Sequence, residues 1–123
     1  GMCAEDSQYL NAHGTSTNVG DFNEVKASKE VVGEHAGKLV VNSTKSMTGH
    51  LLGGAGGVES VFTIKALEEQ VSPPTINVFE QDPDCDIDCC PNAARRMEIN
   101  YAMKNSFGFG GTNSTVIYKR WTE

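Results

Sequence analysis

Basic clusters are scarce: no run gathers more than two Lys or Arg, and 10 basic against 16 acidic residues leave a formal charge of −6. A duplex binder displaces counterions with clustered cations, so this balance argues against nucleic acid as a partner. Long apolar runs are lacking too. None approaches the roughly 20 residues of a bilayer-spanning helix, and Glu5 and Asp6 stand where a secretory leader would carry Lys and an apolar stretch. The chain reads as soluble, with no membrane partner. Cysteine is sparse: Cys3, Cys85, Cys89 and Cys90 are too few and too poorly spaced for a disulfide framework, because adjacent Cys89 and Cys90 cannot readily bridge each other. A reducing, cytoplasmic setting is the simpler expectation. Paired C-x-x-C knuckles are absent, which argues against structural zinc. The glycine-rich stretch Gly53 to Gly57 lacks both the Gly-Lys-Ser/Thr ending of a P-loop and a third Gly at dinucleotide spacing.

What is present suits one small domain of 123 residues, 38% hydrophobic and rich in glycine with 13. Gly1-Met2 reads as a tag remnant ahead of the natural start. Tyr9 to Ala12 predicts a strand running into a small-residue loop, His13-Gly14-Thr15-Ser16-Thr17. Phe22, Val25 and Val32 lie at helical spacing, with Thr17 or Asn18 as cap and Gly33 as stop. Leu39-Val40-Val41 predicts a buried strand, followed by a polar loop from Asn42 to His50. Leu51, Ala55, Val58 and Phe62 predict a second helix, closed by Pro73-Pro74. Four glycines at its start cost about 1 kcal/mol each relative to Ala, so close approach of a backbone or ligand, and burial, is expected there. Residues 75 to 97 read as irregular. Ile99 to Met103 and Thr115 to Tyr118 read as two strands, giving an α/β chain of βαβαββ order with a mixed sheet. His13 and His50 both follow strand signals beside a glycine, so their imidazoles are placed to face one site. His35 is read as a solvated loop residue without a role.

Three loops together carry a more specific signal. Asn11 to Thr17, Ser43 to His50 and Asn105 to Asn113 resemble the β-ketoacyl-[acyl carrier protein] synthases of the type II elongation class, in the same order. The likeness extends through Leu51 to Glu59, Pro73 to Asn77 and Asp86 to Asp88. It implies the C-terminal half of a thiolase-like fold, residues 1–123 forming one half-domain of a longer enzyme whose N-terminal half lies outside this sequence.

The resemblance also implies a chemistry: decarboxylative Claisen condensation, in which an acyl group rests on a cysteine while a malonyl thioester loses CO₂ and supplies the carbon nucleophile. His13 and His50 match the family's paired imidazole donors. Lys45 matches its motif lysine, which by resemblance pairs with the acid corresponding to Glu24. Phe109 matches the gating phenylalanine, whose backbone N–H completes an oxyanion hole, with Gly108, Gly110 and Gly111 freeing the loop. Thr15 and Thr17 match threonines that bind the pantetheine arm. Asn11, Glu59 and Asn105 match positions that hold a structural monovalent or divalent cation in several relatives; no other cofactor is implied. Acyl carrier protein is the implied partner.

One element of that chemistry is wanting, since the family nucleophile lies in the N-terminal half and none of the four cysteines stands in its context. Two readings follow. Either the chain is part of a condensing enzyme, or it belongs to a non-catalytic, chain-length-determining partner subunit of a polyketide or fatty acid synthase; His13, Lys45 and His50 favour the enzyme. Apolar surface expected on the glycine-rich helix and at Val40, Val41 and Val116 further predicts self-association, as a two-fold homodimer.

Overall fold

The computed structural model describes residues 1–122. Its strands are β1 (Tyr9–Asn11), β2 (Val40–Asn42), β3 (Val71–Ser72), β4 (Arg95–Arg96), β5 (Tyr101–Phe107) and β6 (Asn113–Lys119). Its helices are α1 (Asn18–Val32), α2 (Lys45–Thr48) and α3 (Ala55–Glu69). Four strands form one sheet in the order β2-β1-β5-β6; β1 is parallel to both β2 and β5, and β6 returns antiparallel to β5. The architecture is the expected mixed α/β arrangement. Among the described residues no helix is long and apolar enough to cross a membrane.

Alternation within the short parallel strands divides the core in two. Tyr9 and Val40 pack with Ala66 and Leu67 of α3, Ala102 and Ile99 on one face. Leu10 and Val41 pack with Val32 of α1 and Leu39 on the other. Both faces of β1 and β2 are covered, as parallel strands require. Val40 and Val41, expected to contribute an exposed patch, therefore belong to the core, at 2% and 4% exposure. Val116 is exposed as anticipated, together with Ile117.

Element boundaries differ locally from expectation. The loop after β2 coils into the short helix α2, whose N-terminal turn is held by Met47 N–H donating to the Thr44 carbonyl at 3.0 Å. Helix α3 ends at Glu69, before the prolines, because Gln70 adopts a left-handed φ of 56° and its amide donates to the Leu67 and Ile99 carbonyls. The freed chain pairs as β3 with β4, inside a region read as irregular. Strand β5 runs on to Phe107, leaving only Gly108 to Thr112 as the hairpin loop. His35 is anchored, its Nε2 lying 2.8 Å from the Ser7 carbonyl.

The glycine-rich start of α3 is the main departure. Gly53 and Gly54 form a 3₁₀ turn ahead of the helix, and Gly53, Gly54 and Gly57 are exposed. A Cβ at Gly53 or Gly57 would meet nothing, and one at Gly54 or Gly56 would make only ordinary contact, 3.8 Å from Leu51 Cβ and 3.5 Å from Ser106 Oγ, so the expected close approach of a backbone does not occur.

Candidate active site

Because β1, β2 and β5 are parallel, their C-terminal ends open on one edge of the sheet, and the three motif loops emerge there together. His13 follows β1, Lys45 and His50 follow β2, and Phe107 closes β5. The imidazoles of His13 and His50 stand 5.3 Å apart between centroids, edge-on at 82°. Phe107 lies 5.6 Å from the His13 ring, tilted by 50°.

Each histidine is fixed by its own device. His50 Nδ1 accepts the backbone N–H of Leu52 at 3.0 Å, which puts the proton of the neutral ring on Nε2 and leaves that nitrogen as a free donor. His13 is held through its backbone: Glu24 of α1, 4% exposed, accepts the N–H of His13 on Oε1 and of Gly14 on Oε2, each at 2.9 Å. Asn105 Nδ2 adds a third bond to Glu24 at 3.1 Å. Desolvation first, and the nearby Lys45 ammonium second, push the His13 pKa below the ordinary histidine value of 6.5. Its ring is thereby kept neutral near pH 7.

The loops are drawn tightly together. Ser43 Oγ donates to the Gly14 carbonyl at 2.7 Å. Gly14 has φ +35°, and a Cβ there would lie 2.7 Å from that of Ser43; only glycine allows the two histidine loops to approach so closely.

Beneath the histidines lies a buried charge cluster. Lys45, 8% exposed, pairs with Glu59 rather than with Glu24, Nζ to Oε1 at 2.5 Å. Glu59 Oε2 pairs with Lys104 at 2.7 Å. Asn11 Nδ2 reaches Thr44 Oγ1 at 3.3 Å and the Glu59 carbonyl at 3.4 Å. Lys104 and Phe107 belong to the site although the motifs mark neither as a candidate. Lys104 had a signal, since strand alternation puts it on the same face as buried Ala102, an unusual place for a lysine.

A cleft of about 560 Å³ opens beside this edge, lined by Gly14, Thr15, Glu24, Lys45, His50 and Ile76 among others. Thr15 is thus at the site. Thr17 is not: it caps α1 and faces a neighbouring depression. Phe109 projects into solvent at 99% exposure from a loop in which Gly110 and Gly111 take φ +74° and +81°. Gly108 N–H closes that loop onto the Thr112 carbonyl at 2.9 Å. Cys85 and Cys89 also line the cleft, but burial first, and then the aspartates around Cys85 and Asp88 beside Cys89, push both thiols up and away from the reactive thiolate. Cys3 is exposed and Cys90 buried.

The family described as Beta-ketoacyl synthase, C-terminal domain, matches residues 1–79. The 3-oxoacyl-[acyl-carrier-protein] synthase 2 of Staphylococcus aureus (strain COL) is 53% identical over 121 residues, 98% of this chain and 29% of that protein. The protein of the same name from Coxiella burnetii is 52% identical over 120 residues, again covering 98% and 29%. Among solved structures, a type II polyketide synthase ketosynthase in complex with its acyl carrier protein superposes with a TM-score of 0.95 at 41% identity, covering 98% of this chain and 30% of that one. A β-ketoacyl synthase from Burkholderia phymatum STM815 gives 0.90 at 38%, with 98% and 29% covered. The fold is that of ketosynthases, and the chain spans less than a third of the length of these relatives.

Proposed function

Because the chain belongs to the β-ketoacyl synthase family, we propose that it forms the decarboxylation side of the active site of a 3-oxoacyl-[acyl carrier protein] synthase of fatty acid elongation. The observation that carries this reading is the pair of imidazoles 5.3 Å apart, one with its free N–H defined by the Leu52 amide and the other held neutral by its surroundings.

The chemistry follows from that pair. A malonyl thioester whose carbonyl oxygen lies between the rings loses CO₂, and the electrons of the broken C–C bond pass to the α-carbon and that oxygen. Two neutral N–H donors stabilise the enolate charge as it develops, each worth about 2.7–4 kcal/mol in a preorganised site. The α-carbon then attacks the acyl thioester held on a cysteine, the new C–C bond forms, and the cysteine leaves as thiolate. Lys45 and Glu59 support the site from below, and Glu24 positions His13. The Phe109 loop supplies the oxyanion N–H on the acyl side, with Gly108 and Gly110 giving it freedom to move. Thr15 contacts the pantetheine arm; Thr17 flanks its entrance. A related ketosynthase structure that holds an acyl carrier protein supports that class of partner.

No cysteine of this chain has a setting suited to accept an acyl group, so the nucleophile comes from the remainder of the enzyme. The isolated chain is expected neither to be acylated nor to condense substrates, and mass spectrometry after incubation with acyl-[acyl carrier protein] checks this; stoichiometric acylation with turnover would overturn it. In the complete polypeptide, malonyl decarboxylation by His13→Ala and His50→Ala variants tests the role of the pair. Parent-rate decarboxylation would remove that histidine from the mechanism. The exposed Val116, Ile117, Val61 and Leu52 need covering, and we assign that role to the rest of the enzyme or, for the isolated chain, to a second copy.

A further inference from the structure

The residues expected to hold a structural cation are Asn11, Glu59 and Asn105, and their oxygens are already engaged. Glu59 Oε1 faces the Lys45 ammonium and Oε2 the Lys104 ammonium. Asn11 Oδ1 accepts from Thr44 Oγ1 at 3.4 Å. Asn105 Oδ1 accepts from Thr115 Oγ1 at 2.7 Å, and its carbonyl oxygen accepts from Lys104 Nζ. A hard cation needs several free oxygens converging on it. Here the Asn105 oxygens accept from protein donors, and each Glu59 oxygen faces an ammonium in an ion pair without hydrogen-bond geometry.

Charge leads to the same conclusion. Lys45 and Lys104 carry two positive charges, and Glu59 and Glu24 carry two negative ones. All four side chains are buried, Lys104 at 2% exposure, and Glu24 is joined to the cluster through Asn105, whose Nδ2 donates to Glu24 at 3.1 Å and whose carbonyl accepts from Lys104. This quartet is neutral as it stands. A metal ion added to it would leave buried positive charge uncompensated, or would have to evict an ammonium from Glu59 and strand it.

We propose that Lys104 is a built-in cation: its ammonium, reaching from β5 between Glu59 and the Asn105 carbonyl, takes the place a bound metal ion would fill and makes the charge cluster beneath the two histidines metal-independent. Lys104 is then a positioning residue. It ties β5, which carries Phe107 and the Phe109 loop, to α3 and through Glu59 to Lys45 below His50. The inference rests on the preceding reading for the importance of the cluster, but its test reads metal content and melting rather than condensation, so the two can fail separately.

The experiment uses the complete polypeptide that carries this segment, dialysed against chelator. Wild type is expected to hold substoichiometric metal by elemental mass spectrometry and to melt at one temperature in choline, sodium, potassium and magnesium chlorides at matched ionic strength. Lys104→Ser removes the ammonium and bares Glu59 Oε2, so it should melt lower in choline chloride and recover on addition of potassium or magnesium, since a ligand that binds only the folded state stabilises it. Lys104→Arg should melt independently of the metal salt, as wild type does. One equivalent of metal in wild type, a metal-specific rise in its melting temperature, or a serine variant no better in metal salts than in choline would each overturn the proposal. If the serine variant does not fold, the metal content and salt series of wild type decide alone.

Discussion

At one edge of the sheet β2 is buried over its whole length, while at the other β6 exposes six of its seven residues. The difference separates what this chain settles by itself from what it leaves to a neighbour. Where strands are covered on both faces, their ends place His13, Lys45 and His50 with internal hydrogen bonds and ion pairs. Where the hairpin is bare, Phe109 has no packing partner, and its loop closes on a single backbone bond at the base. The histidine loops are preorganised; the Phe109 loop is not.

Breaking the rigid side should have the largest effect. Glu59→Ala leaves two buried ammoniums facing each other and should cost about 3–5 kcal/mol of stability, measured by denaturant unfolding of the complete polypeptide; a loss under ~1 kcal/mol would mean that the cluster is solvated. Next come the histidines. His13→Ala or His50→Ala should slow malonyl decarboxylation by roughly 10²–10³, with acyl loading less affected.

The acid limb of decarboxylation sharpens the comparison further. His13 must be neutral to donate as described, and its pKa is held below 6.5, chiefly by desolvation and Lys45, with His50 and Lys104 acting in the same sense and Glu24 opposing. The His13 ring, followed by NMR titration of the complete polypeptide, should therefore stay neutral as pH falls to 6.5 and protonate only at lower pH, with its share of the activity lost there. A midpoint above 6.5 would contradict that environment. The smallest effect is expected on the bare edge: Ile117→Ser should change the stability of the isolated chain by no more than ~0.5 kcal/mol, yet reduce its self-association in sedimentation equilibrium. An unchanged association constant would place the contact elsewhere.

The same contrast explains what was legible in the sequence. Periodicity and β-branched runs gave α1, β1 and β2, because both strands are fully buried within this chain and α1 turns Val25 and Val32 inward. Three loop motifs at strand ends were enough to place His13 and His50 together. The glycine-rich turn is exposed where burial is expected, and Val40-Val41 are buried as a β-branched strand predicts but not as part of an exposed patch: exposure depends on what lies alongside, which local composition does not carry. Lys45 pairs with Glu59 and not with Glu24, the acid that the resemblance implies, because α3 lies under the strand ends. Lys104 went unnoticed as one lysine in a strand, although alternation with Ala102 marked it as inward-facing.

The clamp on His13 spans two very different distances along the chain. Glu24 reaches back only 11 residues to the His13 amide, whereas Asn105 closes on Glu24 across 81. Loop-closure entropy rises with the length enclosed, and contacts of short separation form early in folding. The histidine loop and α1 are thus expected to gain hydrogen-exchange protection at the His13 and Gly14 amides first, in pulse labelling, before the β5–β6 hairpin closes over them. An order reversed in that experiment would refute it. In a chain made from its N-terminus, Glu24 is available to hold the His13 amide before Asn105 and the Phe109 loop have been made.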